Sequence, residues 1–247
     1  MAERVNAFSR AINSRRWNSP PETVEAGLLT ARESAWYRYS KRVLDIILST
    51  VFLLLLSPLL IVIATAIRLD SPGPAVFTQR RVGKGGRLFD FYKFRSMHQN
   101  ADPECHREFA RQYINGNGSH LADASQAGSP VFKPGEDRRV TRVGRILRRT
   151  SFDEWPQLIN VLKGDMSLVG PRPSIAYELK EYAPWHLHRL EVLPGLTGWA
   201  QIHGRSTLLF NNIVAFDVEY IERRSLWMDL WILLRTIPVV LSCRGAR

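Results

Sequence analysis

The sequence contains very little cysteine. Cys105 and Cys243 are the only two cysteines in 247 residues, and neither belongs to a CxxC pair. We therefore expect neither a disulfide framework nor a zinc site, and low cysteine use is typical of a chain that folds in a reducing cytosol. The sequence also lacks an internal repeat, so a repeat architecture is not predicted. Its length suffices for one ordinary domain with a core and appendages.

Acidic residues are scarce relative to basic ones. The chain has 23 of the former and 34 of the latter, which leaves a net charge of +11. This surplus predicts an anionic partner, either nucleic acid, acidic lipid or a phosphorylated small molecule. The basic residues lack the interleaved aromatic residues of single-strand binders and any helix-turn-helix or zinc-finger spacing. A nucleic-acid partner is therefore not predicted.

One long stretch, from Val43 to Ile67, lacks charge apart from Asp45. It is long enough to span a bilayer as a helix. It is also too long, and begins too far into the chain, to be a cleavable signal peptide. A buried helix of a soluble protein would carry a polar face, which this stretch does not have. We therefore predict that it inserts into a membrane.

Ser57 and Pro58 lie at the middle of this apolar stretch. Proline cannot donate to the carbonyl of Leu54, whereas the Ser57 hydroxyl can bond back to the carbonyl of Leu53 or Leu54 and bend the helix. Basic residues, which favour the cytoplasmic side, flank both ends of the stretch: Arg38, Lys41, Arg42 and Arg68. Two topologies fit these features: a bent helix that leaves by the face it entered, and a kinked spanning helix.

Downstream of the apolar stretch, residue alternation around Gly83–Gly86 predicts a β-hairpin built from Ala75–Val82 and Arg87–Met97. The glycine turn lacks P-loop spacing and predicts no phosphate cradle. Residues 98–135 are interpreted as a helix-plus-loop insertion. Helices are predicted at 137–151, 174–191 and 225–241, and loops at 160–173 and 194–205. The last helix is too short and too charged to span, so we expect it to lie along the membrane interface.

The predicted helix at 137–151 is strongly basic, and one face carries Arg138, Arg142, Arg145 and Arg149. Such a face suits either lipid headgroups or a phosphate-binding wall, because guanidinium groups match phosphate oxygens. Asp153 and Glu154 follow directly. Beside so many cations we expect depressed pKa values for both carboxyl groups. By itself, an Asp-Glu pair is more often helix capping or surface charge, and the alternative is a metal ligand or a nucleophile.

Several blocks of the sequence, taken in order, resemble the monotopic phosphoglycosyl transferases, a bacterial sugar transferase family. The resemblance runs from about Arg38 to the C-terminus and includes the blocks KRVLDIILSTVFLLLLSPLL, TRVGRILRRTSFDEWPQLINVLKGDMSLVGPRP, LPGLTGWAQIHGR and FDVEYI. It implies an α+β monotopic membrane protein. That fold would combine a re-entrant helix bent at Ser57 and Pro58, a small cytosolic catalytic domain containing the hairpin, and interfacial amphipathic helices.

The resemblance also implies an activity. Members move a phosphosugar from a UDP-sugar to a polyprenol phosphate, with undecaprenyl phosphate as the expected form, and release UMP at the cytoplasmic face of the bacterial inner membrane. Asp153 would be the nucleophile, forming a covalent phosphosugar intermediate, and a ligand of Mg²⁺, with Glu154 beside it in the catalytic dyad. The remaining implied substrate-binding positions are Lys93, Arg148, Arg172, Arg205 and Asp217. The sugar and the oligomeric state stay open, with a homo-oligomer as one option.

We accordingly divide the chain into four parts. These are a polar extension at 1–37, the re-entrant membrane helix at 38–68, the catalytic domain at 69–224 and a C-terminal interfacial helix and tail at 225–247. Two rival hypotheses are a non-catalytic membrane scaffold and an ordinary lipid-dependent glycosyltransferase. The latter would release UDP instead of UMP.

Overall fold

The computed structural model describes residues 34–98, 104–115, 139–204 and 208–242, and they form an α+β fold that is mostly helical. Most of the predicted extension, much of the insertion and Arg205 lie outside the described residues. The helices are α1 Ala35–Asp70, α2 Glu104–Ile114, α3 Arg142–Thr150, α4 Gln157–Lys163, α5 Trp199–His203, α6 Phe210–Arg223 and α7 Leu226–Leu241. The strands are β1 Val76–Val82, β2 Leu88–Phe94, β3 Ser167–Val169, β4 Ser174–Ile175 and β5 Gly195–Thr197.

The predicted hairpin is confirmed. Strands β1 and β2 pair antiparallel from Val76 opposite Phe94 to Val82 opposite Leu88. The turn is closed by the Gly83 N–H, which donates to the carbonyl of Arg87 at 2.8 Å. Strand β4 adds to the other edge of β1. Because side chains alternate across a strand, successive residues of each hairpin strand lie on opposite faces of the sheet.

Residues predicted as loops at 160–173 and 194–205 contain the end of α4, the parallel strands β3 and β5, and helix α5, so the loop prediction was wrong for these segments. The glycines that suggested loops serve close packing. A Cβ atom at Gly195 would lie 2.1 Å from the backbone nitrogen of Gly170. The predicted helix at 174–191 was also largely wrong: it begins as β4 and continues as two 3₁₀ turns, Glu178–Glu181 and Pro184–Leu190.

Helix α1 is the one described helix that is long and apolar enough to cross a membrane. Only 11% of its apolar window is buried, so it differs from the core helix of a soluble protein. It continues through Pro58, and the Ser57 hydroxyl donates to the carbonyl of Leu54 at 2.8 Å, one of the two bonds predicted from the sequence. Large apolar side chains stay exposed along its middle: Leu54, Leu55, Ile61 and Val62.

Both ends of α1 are attached to the globular part of the chain by polar contacts. Near the start, Arg42 donates to the carbonyls of Val161 and Leu162, and the Asp45 carboxylate accepts from the backbone of Leu168. At the other end, Asp70 accepts from the backbone N–H of Val143 at 3.0 Å. The buried Arg95 guanidinium caps the carboxyl terminus of the helix and binds the segment after it, with bonds to the carbonyls of Ile67, Ser71 and Pro72.

The main core joins the hairpin to helices α4, α6 and α7. Its most deeply buried members include Phe91, Val161, Met166, Val169 and Ile232. Helix α7 begins at the residue after Ser225, whose hydroxyl accepts from the backbone of Met228. The predicted C-terminal helix is therefore confirmed as a helix, and it leaves Trp227, Leu234 and Leu241 exposed.

Candidate functional site

The carboxylate pair lies on a 3₁₀ turn, Phe152–Glu154, between helices α3 and α4. Ser151, the residue before it, has φ 60° and is the one non-glycine residue with positive φ in the described ranges. Its backbone N–H donates back to the carbonyl of Arg148, which ends α3 and redirects the chain. A left-handed residue is a common way to end a helix, but it is usually glycine, so the backbone conformation is costly at Ser151.

Glu154 is held by Arg172. Both terminal nitrogens of the Arg172 guanidinium donate to the Glu154 carboxylate, at 2.6 and 3.0 Å, in a bidentate pair. The Glu154 charge raises the pKa of the Arg172 guanidinium. The Arg172 side chain is 44% exposed, so the pair stands at the open edge of the site.

Asp153 has a different environment. The described part of the chain offers its carboxylate no hydrogen-bond donor, although Lys93, Arg172 and Arg148 are near enough to act on its charge. Burial and the neighbouring Glu154 charge raise the pKa of Asp153 to about 6. The prediction of a depressed pKa for this carboxyl group was wrong, because desolvation outweighs the attraction of the nearby cations.

Lys93 and Arg148 approach the pair from two other elements. Lys93, on β2, places its ammonium 5.3 Å from the ring centroid of Phe77. Burial and the positive charge of Arg81 lower the pKa of Lys93 to about 8, against the opposing effect of Asp153. Arg148, on α3, donates from Nε to the hydroxyl of Ser96 at 2.9 Å.

The arginines of helix α3 differ in their exposure to solvent. Arg142, Arg145 and Arg149 are exposed, whereas Arg148 is half-buried and turned to the site. The helix lies tight against the end of the hairpin because a Cβ atom at Gly144 would be 2.1 Å from the carbonyl oxygen of Ser96. Three members of the predicted arginine face therefore stand apart from the site, and Arg138, the fourth, lies outside the described residues.

Arg81, on β1, is a site residue that the sequence reasoning missed. Its guanidinium stacks over the ring of Phe91 at 5.2 Å and donates to Gln79 and to the carbonyl of Pro173. Burial and the positive charge of Arg172 lower its pKa to about 10. The hairpin register could have indicated Arg81, because residues 77, 79 and 81 lie on the same face of the hairpin as residues 89, 91 and 93, which include Lys93.

Asp217 is not among the side chains that surround the carboxylate pair. It is fully buried on α6 and pairs with the buried Arg189 at 2.7 Å. Burial raises the pKa of Asp217 to about 6, with Arg189 opposing the rise. Arg189 also donates to the carbonyl of Arg172 at 3.2 Å. Asp217 thus reaches the site only through Arg189 and the backbone that carries Arg172.

A magnesium ion is compatible with the residues present. In the described ranges, no group of three or more His, Cys, Asp or Glu side chains could hold a metal ion. Magnesium in phosphate chemistry needs fewer protein ligands, since one or two carboxylates suffice when phosphate oxygens and water complete its shell. Asp153, whose oxygens accept no hydrogen bond from the residues that the structure describes, fits that role, and Glu154 lies beside it.

Together the fold and the site define a class of protein. A long, largely exposed apolar helix is joined to a domain in which the Asp153 carboxylate, without a hydrogen-bond donor among the described residues, lies near Lys93, Arg148 and Arg172, with Arg81 beside Lys93. Carboxylates and guanidinium groups in this arrangement can bind a phosphorylated molecule and attack or position its phosphorus.

Comparison with known proteins identifies the family within that class. The family model described as bacterial sugar transferase matches residues 36–243. The chain therefore belongs to the bacterial sugar transferase family, and the resemblance noted in the sequence is confirmed.

Three relatives illustrate the range of the family. The chain is 40% identical to the galactosyl transferase CpsE of Streptococcus agalactiae, over 92% of this chain and 48% of that protein. It is 42% identical to a UDP-glucose:undecaprenyl-phosphate glucose-1-phosphate transferase of Caulobacter vibrioides, over 83% of this chain and 71% of that protein. It is 40% identical to the exopolysaccharide production protein ExoY of Rhizobium meliloti, over 84% of this chain and 88% of that protein. The chain thus spans about half the length of CpsE and most of ExoY.

Proposed function

We propose that this protein is a phosphoglycosyl transferase that moves a phosphosugar from a UDP-sugar to a polyprenol phosphate, undecaprenyl phosphate in particular. The observation that carries the proposal is the Asp153 carboxylate, which accepts no hydrogen bond from the described residues and is acted on by three cationic side chains, Lys93, Arg172 and Arg148. The name of the Caulobacter relative describes this reaction with UDP-glucose and undecaprenyl phosphate. The name of ExoY supports a role in polysaccharide production.

In the first step, an oxygen of Asp153 attacks the β-phosphorus of the UDP-sugar. The new Asp153 oxygen–phosphorus bond forms as the bond from that phosphorus to the bridging oxygen breaks, and UMP leaves with the oxygen and the electron pair. A pKa of about 6 suits this role. At neutral pH about nine-tenths of the carboxyl group is ionised, and its basicity exceeds that of an ordinary aspartate.

In the second step, a phosphate oxygen of the polyprenol phosphate attacks the phosphosugar. The bond to Asp153 breaks, the carboxylate is restored, and a polyprenyl diphosphate sugar is released. Lys93 and Arg148 neutralise charge that develops on the phosphoryl oxygens, while Arg172 holds Glu154 in place. A magnesium ion bound at Asp153 would supply further neutralisation of the diphosphate.

We further propose that α1 is re-entrant and that the domain at 69–224 lies on the cytoplasmic face of the bacterial inner membrane. Support comes from the attachment of both ends of α1 to the same globular part, through Arg42 and Asp45 at one end and Asp70 at the other. A helix with ends on opposite sides of a bilayer could not keep both attachments. The Ser57 bond to the carbonyl of Leu54 satisfies a group that Pro58 leaves without its donor.

The test is nucleotide release. Purified protein in detergent is incubated with polyprenol phosphate, magnesium and either UDP-glucose or UDP-galactose, since the relatives' names differ in the sugar. We expect UMP from at least one donor in a panel extended to N-acetylated sugars. Release of UDP would identify an ordinary glycosyltransferase, and absence of either nucleotide across the panel would favour a scaffold.

A further inference from the structure

The guanidinium of Arg81 makes its direct contacts with neutral groups in the described part of the chain, while the carboxylates of Glu178 and Glu154 act on its charge without forming an ion pair. Its Nε donates to the side-chain oxygen of Gln79 at 3.0 Å, and Nη1 donates to the carbonyl of Pro173 at 3.1 Å. The ring of Phe91 covers one side of the group. These contacts orient the guanidinium firmly, yet no described carboxylate pairs with it, and Nη2 has no protein acceptor there.

Arg81 also stands among like charges. Lys93 lies on the same face of the hairpin, and the positive charges of Arg172 and Lys93 act on the same region of the site. Glu154, Glu178 and Asp153 offset these charges only in part, and half-buried cations that no carboxylate contacts directly are unfavourable until an anion joins them. The site is thus arranged to be completed by a negatively charged ligand.

Arg172, one of the three arginines that the family resemblance implies for the site, has its guanidinium already engaged. Both of its terminal nitrogens donate to Glu154. A phosphate group that enters the site therefore meets free donors on other residues first. Lys93 is one, since its ammonium has no hydrogen-bond acceptor in the described ranges. The Nη2 group of Arg81 is another.

We propose that Arg81 is a phosphate-binding residue of this site, which acts with Lys93 on the diphosphate of the nucleotide-sugar donor. The inference deepens the proposed function and rests on it for the identity of the substrate. Its chemistry is that of an oriented guanidinium, held by Gln79 and Pro173, that donates from its remaining nitrogen to a phosphate oxygen.

The neighbouring residue supplies a matched control. Arg80 lies on the opposite face of β1, where it forms an exposed pair with Asp90. The variants are Arg81→Gln, Arg81→Lys and Arg80→Gln. Each is first tested for binding of UDP and of inorganic pyrophosphate, by ligand-induced shift of the melting temperature, a measurement that needs no turnover. UMP release is then followed against UDP-sugar concentration and, separately, against polyprenol phosphate concentration.

For Arg81→Gln we expect UDP and pyrophosphate binding to weaken and the KM for UDP-sugar to rise, each by roughly 10- to 100-fold, because a charge-assisted bond is lost. Arg81→Lys should recover part of the loss, and Arg80→Gln should match the wild type. A rise confined to the KM for polyprenol phosphate would overturn the donor assignment in favour of the acceptor phosphate.

Unchanged UDP and pyrophosphate binding together with an unchanged KM for UDP-sugar, in a folded Arg81→Gln variant, would overturn the proposal. A lower kcat with normal ligand binding would also overturn the proposal. That result is expected if the only role of Arg81 is to hold Pro173 in position through its hydrogen bond. If the wild-type protein releases no UMP from any donor, the proposed function fails. The UDP and pyrophosphate binding comparison still decides whether Arg81 binds phosphate.

Discussion

Replacing Asp153 with asparagine should stabilise the folded protein while abolishing turnover. The pKa of Asp153 is raised from 3.8 to about 6, first by burial and then by the charge of Glu154. The ionised carboxylate is thus less favourable in the folded chain than in the unfolded one. Since each tenfold change in the ionisation equilibrium is worth about 1.4 kcal/mol, this cost reaches about 3 kcal/mol at neutral pH. Asparagine keeps the shape and removes the charge.

The effect has a defined pH dependence. Because the folded pKa lies above the unfolded one, the unfolded chain releases its proton first as pH rises. The stability that protonated Asp153 contributes is therefore present below the unfolded value and lost by pH 6. Asparagine does not titrate. The variant should be only slightly more stable than the wild type near pH 4 and should reach its full advantage above pH 7.

The assay is thermal unfolding in detergent, without nucleotide or divalent cation, at several pH values. At pH 7.5 the melting temperature of the Asp153→Asn variant should exceed that of the wild type by about 6–12 °C, given about 2–4 °C per kcal/mol for a chain of this size. Asp90→Asn is the control, because the exposed pair of Asp90 with Arg80 is worth less than about 1 kcal/mol. A melting temperature at or below the wild-type value would show that the ionised Asp153 carboxylate does not destabilise the folded protein.

Two further predictions concern the frame that carries the site. Asp217→Asn should lower the free energy of unfolding, measured with denaturant, by about 3–5 kcal/mol, because the buried Arg189 loses its carboxylate partner. Glu222→Gln, on the exposed face of the same helix, is the control and should change the free energy of unfolding little. Equal losses in the two variants would contradict this prediction. Single cysteines at Tyr39 and Leu69, both exposed near the ends of α1, should both react with an impermeant thiol reagent only after the inner membrane is opened, in a chain whose own cysteines are serine. Reaction of one of them in intact spheroplasts would show a spanning helix.

Features that depend on local pattern could be predicted from the sequence. Alternation around a glycine turn identified the hairpin, and the length of the apolar run identified α1. Proline chemistry led to the bond from Ser57 to the carbonyl of Leu54. Each of these signals lies within a few residues of its consequence, so no tertiary contact was needed to read it.

Features that depend on tertiary packing could not be read in this way. Gly170 and Gly195 suggested loops, but they permit β3 and β5 to approach closely. The pKa of Asp153 was predicted to fall because its cationic neighbours are visible in the sequence, whereas its burial is not. Arg81 was missed because its place beside Arg172 arises only when β1 meets the segment after β3.

We propose above that Asp153 forms a covalent bond to the phosphosugar. Mass spectrometry of the intact protein and of its peptides detects this bond directly. The protein is incubated with the UDP-sugar that it turns over and with magnesium, but without polyprenol phosphate, and is then digested and mapped. We expect one phosphosugar per chain, on the peptide that contains Asp153, with an equal amount of UMP, and no adduct in the Asp153→Asn variant. UMP that appears only when polyprenol phosphate is present, with an unmodified Asp153 peptide, would contradict it.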